Sequence, residues 1–126
     1  MHIEFYRDTD RAAMARASHS DWQALSGLLT SDIDSIDGAS EVLGLLRRAA
    51  ASGSSVDGTG NAFTVQAKGP AASVEFAIDE SIRPVRLPTR DLIALIETWI
   101  SFLQQGSPRS WGGTDAGSRD AVRPPQ

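Results

Sequence analysis

The chain has 126 residues, a formal net charge of −4 and no cysteine. That length fits one domain with a modest core, and the missing thiols exclude disulfides, thiol catalysis and zinc sites built on thiolates. An acidic balance argues against nucleic acid as a ligand, because phosphate binding needs clustered lysine and arginine. No run of about 18 apolar residues predicts a membrane-spanning helix. The opening MHIEFYRDTDR lacks the basic start and apolar run of a secretory signal. The expectation is a cytoplasmic protein in a reducing setting. Beyond Gln105, Arg109, Arg119 and Arg123 stand against Asp115 and Asp120, a net +1, so the part before carries −5.

Residues 2–6 alternate, with Ile3 and Phe5 on one side and His2, Glu4 and Tyr6 on the other. This predicts a half-buried strand. Arg7 to Arg11 is polar and turn-like. The segment AAMARASHS that follows is open: its composition favours a helix, and a hairpin strand is the competitor. Ser20 and Gln23 have the spacing of a capping box, so a short helix should follow, bury Trp22, Leu25, Leu28 and Leu29, and end near Thr30. A second helix begins between Gly38 and Glu41 and runs through VLGLLRRAAA to a stop at Gly53. Gly44 inside it costs about 1 kcal/mol relative to alanine, which suggests a close helix contact.

From Ser54 the period becomes two. Phe63, Val65 and Ala67 form one alternating run, and Val74, Phe76 and Ile78 another. The Gly69-Pro70 turn between them makes a β-hairpin. Val85 and Leu87 offer a short strand, and Pro84 and Pro88 assign it to an edge. Residues 88–103 then carry the strongest periodicity in the chain: Leu92, Leu95 or Ile96, Trp99 and Leu103, widened by Ile93 and Ile100. That is a helix with a broad apolar face, with Thr89 as a potential cap and Gly106 and Pro108 as its stop. The fold class expected is α+β, a small antiparallel sheet of N-terminal hairpin plus central meander packed with three helices. Residues 1–105 form the domain. Residues 106–126, rich in Gly, Ser and Pro, are expected to be a disordered tail in which Trp111 is the one anomaly.

Motifs that carry chemistry are weak here. Asp32-Ile33-Asp34-Ser35-Ile36-Asp37-Gly38 begins like a calcium loop, but Gly38 falls at position seven and Leu43 at twelve, where Gly is needed at six and Glu at twelve. It reads as an acidic interhelical loop. Ser18, His19, Ser20 and Asp21 are sequence neighbours, and adjacent residues cannot all face one reacting atom. Asp57-Gly58-Thr59-Gly60-Asn61 contains G-x-G but no lysine and no following helix. Its glycines read as a tight turn or bulge. Arg83, Arg86 and Arg90 form a basic cluster that Asp79, Glu80 and Asp91 can neutralise. Trp22 and Trp99 lie on apolar stripes and read as core.

The order IEFYRD (3–8), VDGTGNAFTV (56–65) and LIETWISFL (95–103) resembles the YacL-like family of small bacterial proteins. It also resembles immunity proteins of contact-dependent growth inhibition (CdiI-type) systems. The resemblance spans about residues 1–103 and implies that residues 12–18 pair as a strand with residues 2–7. It further implies a non-enzymatic cytoplasmic protein without cofactor or metal. Its partner would be a cognate toxin domain, often a basic nuclease, whose active or substrate site it blocks. The acidic body then nominates Asp32, Asp34, Asp37 and Glu41, with Asp8 and Asp10, as the face offered to the toxin. The alternative is a small housekeeping or regulatory protein that self-associates through its last helix.

Overall fold

Alternation at residues 2–6 produces the expected strand, β1 (His2–Arg7), with Ile3 and Phe5 buried. The computed structural model describes residues 2–59, 62–78, 81–105 and 108–112. The open segment is a strand, β2 (Ala13–Ala17), antiparallel to β1 with Phe5 opposite Ala15. Cross-strand contacts override the helix propensity of its alanines. Ala13, Ala15 and Ala17 pack toward the core. On the other face Arg16 bonds Glu4 at 2.8 Å and lies over the Tyr6 ring. The hydrogen bond and charge of Arg16 hold the Glu4 carboxyl below its usual range.

The helical region after β2 departs from a simple capped helix. The cap is His19, not Ser20: its Nδ1 accepts from the Asp21 amide at 3.1 Å, because the first turn, Ser20–Trp22, is a 3₁₀ turn. Then come α1 (Gln23–Gly27) and a π turn at Leu28–Asp32, two residues beyond the expected end. Leu25, Leu28 and Leu29 are buried, and Trp22 is half-buried. α2 (Ile36–Ser52) starts earlier than expected because Ser35 caps it, its Oγ accepting from the Gly38 amide at 3.1 Å. It ends as expected at Gly53, whose φ of 73° suits glycine. The close approach sits elsewhere than Gly44, where a Cβ would meet only the Arg48 guanidinium at 3.8 Å. It is at Gly27, where a Cβ would stand 2.5 Å from Cζ of the buried Phe63.

The meander is a four-stranded antiparallel sheet: β3 (Ser55–Thr59), β4 (Phe63–Lys68), β5 (Ala71–Phe76) and β6 (Val85–Pro88), in that order. β3 corrects the expectation of a tight turn or bulge at Gly58. Gly58 lies inside that strand, beneath Leu45 of α2, which a Cβ there would meet at 3.4 Å. β6 is an edge strand, as its flanking prolines require. Ile78 lies past the end of β5 and is 67% exposed, so its place in the alternating run is not realised.

α3 (Thr89–Gln105) lies against β5, β6 and α2. Leu92, Leu95, Ile96, Trp99 and Phe102 are buried, so Phe102 takes the central place expected for Leu103. Thr89 does not cap the helix: its hydroxyl donates to the Gly69 carbonyl, and its amide to that of Pro70, tying α3 to the β4–β5 turn. Trp99 meets Phe5 edge-on at 5.2 Å and stacks with Phe102 at 5.5 Å. Its indole N–H donates to the Ile33 carbonyl at 2.7 Å. One side chain thus joins β1, α3 and the loop before α2. No helix among the described residues is long and apolar enough to cross a membrane.

The expected disordered tail is ordered over β7 (Arg109–Gly112), which pairs antiparallel with β1, Trp111 opposite Ile3. Trp111 is buried there. Hairpin and β7 therefore form a second sheet of three strands, β2-β1-β7. The rest of the expected tail, residues 106–107 and 113–126, lies outside the described residues.

Candidate functional site

The nominated carboxylates divide into two kinds. Two are used on the protein's own backbone. Asp8 Oδ1 accepts from the amides of Asp10 (2.8 Å) and Ala12 (2.9 Å), closing the β1–β2 turn in which Arg11 takes φ 67°. Asp32 accepts from the amide of Phe63 at 2.7 Å and from that of Ala62 at 3.2 Å, fastening the π turn to the start of β4. Asp32 is therefore tied to the fold, while its carboxylate stays part-exposed. Asp32→Ala should cost about 1.5–3 kcal/mol, the range for hydrogen bonds to a charged group. Urea unfolding measures this, and a loss of less than about 0.5 kcal/mol would contradict the role.

Asp10, Asp34, Asp37 and Glu41 are exposed and make no side-chain bond or ion pair among the described residues. Local sequence accounts for their freedom. Ser35 does the capping, so Asp34 is not needed for it. Asp37 and Glu41 are four residues apart in α2 and share a helix face. Asp37 also sits in the first turn, where the dipole favours a carboxylate.

Ile36 stands among them, 39% exposed, an apolar residue that the sequence reading passed over. The available signal was an isoleucine inside an acidic run. The first turns of α2 form a ridge with a depression on each side. One is lined by Asp34 and Ile36 with Met14, Leu103, Arg7 and Arg11. The other holds Glu41 and Arg48 above Val42, Leu45 and Phe63. Arg7 is itself occupied, its Nη1 donating to the Arg11 carbonyl and its guanidinium lying over Phe102. The β1–β2 turn with Asp10 thus adjoins the same surface, which is acidic along the ridge and mixed in the groove beside it.

The remaining motifs resolve structurally. His19 serves as a turn cap. Of the pairs expected for the basic cluster, Arg90 meets Asp91 at 3.8 Å, while Asp79 and Glu80 lie outside the described residues. So do Gly60 and Asn61 of the glycine-containing segment. Among the described residues no group of three or more His, Asp or Glu side chains is placed to hold a metal. No family model, curated protein or solved structure matches the chain.

Proposed function

We propose that this protein is an immunity-type binding protein that neutralises a toxin domain by covering its active or substrate site. The ridge at the start of α2 makes the contact. The observation that carries this reading is the trio Asp34, Asp37 and Glu41, exposed and without partners among the described residues, on a ridge that also exposes Ile36. A run of unpaired carboxylates beside an exposed apolar side chain suits a surface that meets a basic partner. The motif resemblance at residues 3–8, 56–65 and 95–103 points the same way. The carboxylates would mainly speed encounter and select the partner, and Ile36 would supply apolar contact once docked. Self-association through α3 finds no support, since its apolar face is spent on the core.

The experiment is a search for a toxin domain encoded directly upstream of this gene, then co-purification with it and rescue of growth on co-expression; no such domain upstream also counts against the reading. Absence of both binding and rescue overturns the reading. Reversing Asp34, Asp37 and Glu41 together to lysine should lower the association rate by about tenfold or more at low salt, with a stability loss of no more than about 1 kcal/mol from a cation at the N-terminus of α2. An unchanged rate in stopped-flow mixing would remove the ridge from the proposal.

A further inference from the structure

α2 and α3 lie against the four-stranded sheet, and Val56, Phe63, Val65, Val74 and Val85 turn inward to them. Among the described residues nothing covers the opposite face of the sheet. Its residues fall in rows fixed by the register. Asp57 pairs with Gln66, Gln66 with Ser73, and Ser73 with Arg86, so one row crosses all four strands with a carboxylate at one end and a guanidinium at the other. In the next row Lys68 stands beside Ala71. The short side chains of β5 thus floor a depression of about 810 Å³ between the long ones of β4 and β6.

We propose that this face is a dimer interface, two copies stacking sheet to sheet about a two-fold axis parallel to the strands. Such an axis keeps height along the strands and reverses strand order, so β3 faces β6 of the second copy and β4 faces β5. Asp57 of each copy then meets Arg86 of the other, twice by symmetry. Gln66 stands over Ser73 and Lys68 over Ala71, long side chains entering the depression left by short ones. Glu75 shares the face and meets no carboxylate in this arrangement. Sheets packed face to face lie about 10 Å apart, a gap that side chains of this length fill. The footprint of four short strands is at the small end of specific interfaces, so the dimer is weak and concentration-dependent. The α2 ridge remains open in it, because α2 packs on the inward side of the sheet.

Sedimentation equilibrium over rising concentration tests this, with circular dichroism to verify folding. Arg86→Glu and Asp57→Arg should each raise the dimer dissociation constant by about tenfold or more. The doubly swapped chain, Asp57→Arg with Arg86→Glu, should return to near the original value. A monomer at every concentration, single variants that dimerise like the original chain, or a swapped chain that stays monomeric would each overturn the proposal.

Discussion

Replacing Trp99 with alanine should cost about 3–5 kcal/mol, close to the whole stability of many domains this size. The indole is fully buried and touches two other aromatic rings from different elements. It also donates to the Ile33 carbonyl at the end of the π turn. Trp99→Phe separates these contributions. The ring is largely kept, the donor is lost, and the carbonyl is left without its partner, a cost of about 1–3 kcal/mol. Urea unfolding of both variants gives the comparison. If phenylalanine were as damaging as alanine, the hydrogen bond rather than the packing would dominate, contrary to the geometry.

Trp111→Ala should cost about 3 kcal/mol, at the lower end for a buried tryptophan because β7 is an edge strand. A chain ending at Gln105 should lose at least as much, since it also removes the pairing of β7 with β1. Thermal unfolding followed by circular dichroism measures both. Truncation without effect would show that Trp111 contributes nothing to the body.

The parts of the fold legible in the sequence are those whose reason is local. α3 shows itself because a helix that buries one face repeats apolar residues every three or four positions. β4 and β5 show themselves by alternation across a Gly-Pro turn. β7 does not. Four residues in a Gly- and Ser-rich stretch carry no pattern, and their order comes from the edge of β1 and the space beside Ile3. β3 was hidden similarly by Gly58, which composition assigns to a turn and which the structure places in a regular strand beside Leu45. The candidate site followed the same rule. An acidic run is visible as a run, but which carboxylate it leaves free depends on where backbone amides end up. Asp32 finds those of Ala62 and Phe63, about thirty residues away, and nothing in its neighbours announces that. Asp34 stays free because the helix start puts Ser35, not Asp34, at the cap, and Asp37 because it lies inside the first turn.

The position of β1 between β2 and β7 has a consequence for the order in which the molecule can be made. β1 and β2 can zip together as a hairpin soon after synthesis, but the other edge of β1 is completed only when Trp111 has emerged. At roughly 5–20 residues per second, several seconds of elongation separate the two events. During that interval Ile3 and a row of unpaired amides stay open, the kind of strand edge that recruits other chains. Pairing of β7 is therefore the step that closes this sheet, and β1, synthesised well before it, is among the later elements to become fully protected.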